Sequence, residues 1–309
     1  MFTEAADSAI LSSMKKIISL GKDTFLLYLK RDMRVYAGNA TLFIVTAFFP
    51  FLMWIIAIVN LLPQFDPEDV TEMLLKFLPD LSSIQYLIRN LVINLKHQSS
   101  GLLASLSAVT ALWSASAGFT AIQKGLKKIS PDAPEPKMTD KSSAVLYTLI
   151  LMVLIPAILI IHALGDIAVT AAEHLSELIG ISNITGAVRE IIEASNVEIV
   201  VFCGVAVLLI YRFVPGGKRR IFHQLPGAIF TSVLWAVFTK AFSFLIPRIY
   251  RASSIYGSLA SLFLVLMWVR YIIAIMFIGA SLNTVLQRQR RLRERFESLE
   301  QMKTEEKTE

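Results

Sequence analysis

The sequence predicts an all-α integral membrane protein with six transmembrane helices, an amphipathic N-terminal helix and helical extracytoplasmic loops. Hydrophobic residues make up 55% of the 309 residues, and the mean hydropathy is +0.60. Charged residues account for only 17%, against roughly 25% in an average soluble domain. The single cysteine, Cys203, lies inside an apolar run, so a disulfide framework is excluded. A soluble enzyme, a disordered chain and a small secreted scaffold are therefore excluded.

Residues 1–37 are predicted to form a cytoplasmic amphipathic helical segment. Its apolar residues recur at three- and four-residue spacing, whereas its basic residues largely occupy other positions. The apolar set is Ile10, Leu11, Met14, Ile17, Ile18, Phe25, Leu29 and Met33. Two interpretations remain open. The helix lies on the membrane surface with its lysines near anionic headgroups, or it packs against the floor of the bundle.

Six apolar stretches approach the roughly 20 residues that a transmembrane helix needs. They lie at about 38–62, 101–123, 143–164, 197–214, 226–247 and 258–286. The second stretch is rich in Ala, Ser, Thr and Gly, which favours close packing between helices. We interpret it as an inner helix of the bundle, with a re-entrant segment as the alternative. The transmembrane domain is thus 38–286, followed by a charged cytoplasmic tail at 287–309.

The segments that connect the spans also carry helical patterns. The first outer loop, at about 63–100, holds two such patterns, and the second, at about 165–196, holds another two. Both loops are predicted to form a small helical cap over the outer mouth. The tail is predicted to begin as a helical extension of span 6 and to fray towards its end.

The distribution of basic residues predicts the orientation. Twenty-two of the 30 Lys and Arg residues precede span 1, follow span 6 or lie in the loops after spans 2 and 4, whereas six lie on the other side. Cytoplasmic segments carry the excess of Lys and Arg. Both termini are therefore predicted to be cytoplasmic. The first apolar run lies far from Met1 behind a charged segment, so no cleavable signal peptide is expected.

The sequence contains no recognisable catalytic pattern. The four histidines are scattered without HxxxH or HxHxD spacing, which leaves a metal-dependent hydrolase without a ligand set. The segment Gly21–Thr24 resembles the end of a phosphate-binding loop but lacks the upstream glycine. Clusters of Lys and Arg occur where the topology requires positive charge. We therefore expect no enzymatic activity, no catalytic residue, no metal or other cofactor, and no nucleic-acid partner.

Several ordered fragments resemble the YihY/BrkB family of bacterial inner-membrane proteins, older members of which carry the label ribonuclease BN. The fragments are AGNATLFIVTAFFPF at 37–51, LWSASAGFTAIQKGLKKI at 112–129, YRFVP at 211–215, PGA at 226–228, and YGS, Trp268 and GASLN in span 6. The family-motif positions are Pro50, Arg212, Pro215, Gly227, Tyr256, Gly257, Gly279 and Asn283. The resemblance covers about residues 35–285.

The resemblance implies a six-helix protein in the cytoplasmic membrane of a bacterium. It also implies a role in serum resistance or in lipid and envelope traffic, with tRNA processing by a ribonuclease as the disfavoured alternative. Two departures stand out. Many relatives carry an acidic residue where this chain has Ser281, and position 270 is often aromatic where this chain has Arg270. A mechanism that uses the acidic side chain of those relatives is not expected in this chain, because Ser281 occupies its position.

Two basic residues fall inside predicted spans: Arg270 near the middle of span 6 and Lys240 about two-thirds across span 5. A charge at the bilayer centre costs about 2.5–3.5 kcal/mol on insertion scales and usually faces the bundle interior or a wet cavity. Arg248 and Arg251 lie at the outer end of span 5, and Arg212 at the inner end of span 4. These five cations predict a path for an anionic amphiphile, such as a lipid or an envelope precursor.

Two alternatives to this path remain open. Lys240 can extend along its own stem towards the interface, and Arg270 can donate to carbonyl and hydroxyl oxygens, which would make both residues structural. The protein as a whole could instead be a non-transporting envelope scaffold. The partners expected from sequence are therefore membrane lipids, chiefly anionic, together with an envelope protein or a second copy of the chain.

Overall fold

The structure is a computed structural model that describes residues 2–60, 71–72, 75, 82–98, 101–130, 142–150, 152–153, 197–217, 220–249 and 257–305. All regular elements within these ranges are helical. The long helices are α1 (Phe2–Lys30), α2 (Met33–Asn60), α3 (Ser82–Gln98), α4 (Gly101–Ile129), α5 (Val197–Phe213), α6 (Leu225–Ile249) and α7 (Gly257–Glu305). Residues 142–150 are also helical, and a short 3-10 helix at Ile221–His223 joins α5 to α6. The predicted all-α class is confirmed.

Four helices in the described part are long and apolar enough to cross a membrane. The apolar segments are Met33–Ala57 in α2, Ser105–Ile129 in α4, Leu225–Ile246 in α6 and Ala260–Met302 in α7. The apolar part of α5, Val200–Phe213, is shorter. Most of the predicted third span and the whole second outer loop lie outside the described residues. The number of six spans therefore stays a prediction.

Helix α2 starts before the predicted span 1, whereas α7 confirms the predicted helical extension of span 6. Helix α2 begins at Met33 rather than near 38, and both Met33 and Ala37 are buried in the core. Helix α7 continues without a break from the last span to Glu305. Its tail contains neither Pro nor Gly and is rich in Arg and Glu, residues with high helix propensity. Span 6 and the predicted tail are therefore one helix of 49 residues.

Helix α1 has features of both interpretations of the N-terminal segment. Its last turns bury Thr24 and Tyr28 and pack chiefly against α7. The apolar side chains of Met14, Ile18 and Phe25 lie on another face of the same helix and are more than half exposed. One face of the end of α1 thus packs on the bundle, and the exposed apolar face can contact a membrane surface.

Helices α2 and α4 form the most extensive helix pair in the described part. Small residues allow this approach, since a Cβ added at Gly118 would lie 3.0 Å from the Ile44 side chain. Helix α4 is continuous over 29 residues, as a crossing helix requires. The face opposite α2 is exposed at Leu106, Val109 and Trp113 in the first half of α4. The second half is buried on more sides, and Gln123 there donates to the Ser143 hydroxyl and the Val214 carbonyl.

Helix α3 lies in the segment predicted to be the first outer loop. Its side chains Ile84, Ile88 and Val92 recur every four residues and are almost fully buried. They form a second core with Phe242 of α6 and Leu264 of α7, among others. Helix α3 therefore packs against the bundle at the end opposite the starts of α2 and α6.

Helices α6 and α7 approach closely through two glycines and a buried amide. The Asn283 side chain accepts from the Gly227 backbone N–H at 2.7 Å and donates to the Gln224 carbonyl oxygen at 3.0 Å. A Cβ at Gly227 would collide with the carbonyl oxygen of Gly279 and with the Asn283 amide. Only glycine therefore permits this spacing.

Helix α5 joins the same contact through Tyr211. Its hydroxyl lies 2.9 Å from the Thr231 hydroxyl of α6 and donates to the Met276 carbonyl of α7. Tyr211 is only 1% exposed. One buried side chain thus bonds to two neighbouring helices, and no polar atom of this group is left without a partner.

We expect Gly227→Ala to lower the free energy of unfolding by about 1–3 kcal/mol, the usual cost of overpacking, because its Cβ would force α6 away from α7. Thermal unfolding of the detergent-purified protein measures the change. The matched control is Gly21→Ala in α1, where an added Cβ meets nothing within 4 Å. Equal melting temperatures for Gly227→Ala and the control would contradict this account of the helix contact.

Candidate anion-binding groove

An open groove lies between the first turns of α2 and the middle of α7. It has a volume of about 790 Å³. The lining residues are Arg34, Val35, Gly38, Asn39 and Leu42 of α2 and Arg270 of α7. Two guanidinium groups and one amide thus share a concave surface with exposed aliphatic side chains.

The spacing along α2 explains the composition of this wall. Residues 34, 38 and 42, like 35 and 39, are four apart and therefore lie on one helix face. Gly38 has no side chain to fill the groove. A Cβ added at Gly38 would lie 3.9 Å from Nη1 of Arg270. Val35 and Leu42 are 67% and 55% exposed, so the aliphatic part of the wall faces outward.

The groove is electropositive. Burial raises the pKa of Tyr28 above its ordinary value, and the charges of Arg34 and Arg270 act in the opposite direction. The same two guanidiniums line the groove. Within the described ranges neither arginine has a carboxylate partner. An anion in the groove would meet two cations that no carboxylate of the described residues neutralises.

A tight turn between α1 and α2 determines where α2 begins. Asp32 adopts a left-handed conformation with φ of 55°, which short polar residues tolerate better than most. Its carboxylate lies 3.5 Å from Nζ of Lys128 at the end of α4. The same Nζ lies 5.3 Å from the centre of the Tyr36 ring. Lys128 thus contacts the start of α2 from the end of α4.

The structure places the two predicted intramembrane cations on different faces. Arg270 lines the groove, beside the second turn of α2, and its side chain is exposed. Lys240 is exposed on α6, nine residues after Thr231 and thus about 180° from it around the helix. Thr231 faces α7. The structure therefore does not bring Lys240 and Arg270 together.

The other predicted path residues lie apart from the groove. Arg212 is half-buried at the end of α5, where its guanidinium lies 5.2 Å from the Phe213 ring centre and donates to the Gly217 carbonyl at 3.4 Å. Arg248 belongs to the last turn of α6, and Arg251 lies outside the described residues. Arg212 is thus engaged in the turn between α5 and α6.

The family-motif residues chiefly occupy helix contacts. Gly227, Gly279 and Asn283 form the α6–α7 contact described above, and Pro215 is buried just after α5. Pro50 lies inside α2, which continues past it to Asn60. Gly257 begins α7, and Tyr256 lies outside the described residues. The described members of this set support the bundle rather than line the groove.

Ser281, where relatives often carry an acid, is fully buried. Its hydroxyl donates to the Phe277 carbonyl at 2.8 Å within α7. The Ser281 hydroxyl therefore has its hydrogen-bond partner within its own helix, and the side chain packs in the interior of the bundle.

Sequence reasoning missed Arg34, Asn39 and Leu42. In the sequence Arg34 precedes the predicted span 1, where a basic residue indicates only the orientation of the span. The available signal was its spacing to Gly38 and Leu42, which together with the apolar Val35 predicts a single face. That Arg270 lies opposite this face depends on the packing of α2 against α7 and has no local signal.

The helices and the groove define a membrane protein of the all-helical class. The profile of the family described as Virulence factor BrkB matches residues 24–304. The chain therefore belongs to the Virulence factor BrkB family, which confirms the resemblance to YihY/BrkB proteins.

Relatives are similar over very different lengths. YfkH of Bacillus subtilis (strain 168), named as ribonuclease-like, is 22% identical over 89% of this chain and 98% of its own length. A UPF0761 membrane protein of Xanthomonas campestris pv. campestris (strain B100) is 35% identical, but over 25% of this chain and 18% of its own. A UPF0761 membrane protein of Histophilus somni (strain 2336) is 31% identical over 31% of this chain and 34% of its own length. No solved structure matches the chain significantly.

We expect Asp32→Ala to destabilise the start of α2 by about 1–2 kcal/mol, because alanine is unfavourable in a left-handed conformation. Asp32→Gly should be nearly neutral, since glycine adopts this φ readily and the lost ion pair with Lys128 is largely exposed. Thermal unfolding of the purified variants measures both. Equal losses for Asp32→Gly and Asp32→Ala would mean that the ion pair with Lys128, which both variants lack, and not the backbone conformation, stabilises the turn.

Proposed function

We propose that this protein binds an anionic amphiphile, a lipid or an envelope precursor, in the α2–α7 groove and moves it across the membrane. The observation that carries the proposal is the pair of arginines, Arg34 and Arg270, that share one open groove without a carboxylate partner among the described residues. An anionic headgroup would contact both guanidiniums.

The chemistry of the groove suits a phosphate or carboxylate headgroup. Arginine presents a planar fork of donors that binds such groups through paired, charge-assisted hydrogen bonds. Asn39 adds an uncharged amide to the same wall. The groove can therefore bind the oxygens of one headgroup from two helices.

The same wall offers a surface for the apolar part of an amphiphile. Val35, Leu42 and Phe49 are seven residues apart along α2 and all are exposed, so they form one line leading away from the arginines. An acyl chain on this line would lie against aliphatic and aromatic carbon while the headgroup stays with the cations.

Energetics favour an occupied groove. A guanidinium on the lipid-facing side of a membrane helix is costly unless it reaches water or an anion. Arg270 lies thirteen residues into α7, on the side turned away from α6. Binding of an anionic headgroup would offset part of that cost, so the arginines favour anionic over neutral lipids.

The predicted path through Lys240, Arg248, Arg251 and Arg212 belongs to the same proposal as a later stage of transfer. It requires a substrate to pass from the groove around α7 to α6. Arg270 is common to the groove and the path, whereas Arg34 belongs to the groove alone. Separate variants at Arg34 and Lys240 therefore distinguish binding at the groove from movement along the path.

The first experiment compares the lipids that co-purify in detergent with wild-type protein and with Arg34→Gln/Arg270→Gln. We expect enrichment of one anionic class in the wild type and a loss of at least about tenfold in the variant, which is the effect of losing one charge-assisted hydrogen bond of about 1.5–3 kcal/mol. Arg290→Gln/Arg293→Gln, which removes two exposed cations from the tail of α7, is the matched control. The bulk lipid profile in all three proteins would contradict the proposal.

A steric variant of that experiment keeps both charges. Gly38→Leu would place a side chain in the groove, whereas Gly38→Ala has room because its Cβ meets only Arg270 Nη1 at 3.9 Å. Lipid enrichment should fall for leucine and persist for alanine.

Lys240→Gln should retain enrichment but reduce flux in proteoliposomes if the path through α6 operates.

We propose six crossings with both termini in the cytoplasm. The charge distribution of 22 basic residues against six supports this orientation. The four apolar helices and the shorter α5 support the crossings in the described part. A fluorescent protein fused after residue 309 should fold and fluoresce, and one fused within 165–196 should remain dark after export. Fluorescence from both fusions would contradict the proposed topology.

The sequence also predicts a non-transporting envelope scaffold as the alternative, and the exposed tail of α7 favours it. We further propose that the chain is not an enzyme, although YfkH carries a ribonuclease-like name. Flux in proteoliposomes supports the transporter, and a stable envelope partner without flux supports the scaffold. Metal-dependent cleavage of tRNA by pure protein would support the ribonuclease.

A further inference from the structure

Among the described residues, the last part of α7 extends beyond the bundle and no other element packs on it. All side chains described from Arg290 to Thr304 are exposed. At 1.5 Å per residue this part is about 22 Å long. Four of its exposed side chains are large and apolar: Leu292, Phe296, Leu299 and Met302.

Three of these side chains follow a heptad pattern. Leu292, Phe296 and Leu299 are separated by four and then three residues, which places them on one stripe. Seven residues earlier the stripe continues through Gln289 and the buried Val285. Phe296 occupies an a position, and Leu292 and Leu299 occupy d positions. This seam, defined as Leu292, Phe296 and Leu299, has the spacing of a coiled coil.

The outer face of the tail is polar. Gln287, Glu294 and Gln301 occupy the f positions, opposite the seam. Arg290 and Glu294, like Arg293 and Glu297, are four residues apart and can form helix-stabilising pairs. A helix with one apolar seam and a polar outer face is built to pair along that seam.

We propose that the seam docks a second copy of this chain in a parallel coiled coil. Copies inserted in one membrane share their orientation, so their tails project on the same side and can pair only in parallel. In a parallel pair each g residue lies near the next e residue of the other helix. Arg295 then faces Glu300 of the second copy, and symmetry forms this pair twice.

The charges also limit the extent of pairing. One heptad earlier, Arg288 at the g position lies opposite Arg293 at the e position of the second copy, and these two positive charges repel each other. The stable part is therefore the heptad around Phe296. So short a coil forms only because the membrane raises the effective concentration of the copies. The inference concerns a surface distant from the groove and is independent of the proposed function.

Cysteine cross-linking in native membranes tests the proposal. The full chain carries Cys203→Ala, which removes its single cysteine, and one new cysteine at a time. Leu292→Cys and Leu299→Cys occupy d positions, where the Cα atoms of a parallel pair are close enough for a disulfide. Glu294→Cys and Gln301→Cys at f positions are the controls. After mild oxidation we expect at least fivefold more dimer from d than from f positions.

Three results would overturn the proposal. Equal cross-linking at d and f positions indicates random collision, and none at any position indicates unpaired tails. Protection of the d cysteines from a water-soluble maleimide without cross-linking indicates that a lipid surface covers the seam. Phe296→Asp should abolish cross-linking through Leu292→Cys, whereas Glu294→Gln should leave it unchanged. Lipid enrichment at the groove is measured separately, so either idea can fail alone.

Discussion

The contact between α6 and α7 at Gly227, Gly279 and Asn283 is the constraint on which the rest of the bundle depends. It lets the two backbones approach until a side-chain amide bonds the first turn of α6 directly. Away from water, each such polar group must find its partner inside the protein. The contact therefore fixes the rotation of α7 about its axis, and only one face of that helix is left to meet α2.

That fixed rotation determines where Arg270 lies. Trp235 of α6 donates to the Ile272 carbonyl at 2.7 Å, and the Trp268 indole lies 3.3 Å from the Thr239 hydroxyl. Residues 268 and 272 thus face α6, and residue 270 is turned about 160° away from each of them. The arginine that a sequence places near mid-span is consequently exposed beside α2. Its charge is separated from Lys240 by the helix pair itself.

The sequence predicts the helices well because apolar runs and their lengths are local properties. Helix α4 was predicted from 101 and begins at Gly101, and α6 was predicted from 226 and begins at Leu225. The groove could not be predicted in the same way, since it requires Arg34 to belong to α2 and Arg270 to face it. Arg34 belongs to α2 because the helix already includes the buried Met33. Arg270 faces α2 because of the rotation of α7. The start of α2 and the rotation of α7 both depend on tertiary packing. The path through Lys240 stays a prediction, because the sequence shows which residues share a helix face but not which neighbouring helix that face contacts.

A single continuous helix connects the groove to the seam. Arg270 and Leu292 are 22 residues apart, which is about 33 Å along the axis and about 40° around it on an ideal helix. Groove and seam therefore lie on nearly the same side of α7. Pairing of two tails would turn the groove sides of the two copies towards each other, because an unbroken helix transmits the orientation of its tail to its span. Two arginine pairs would then lie on either side of one symmetry axis, and an anionic lipid between the copies would be attracted by both.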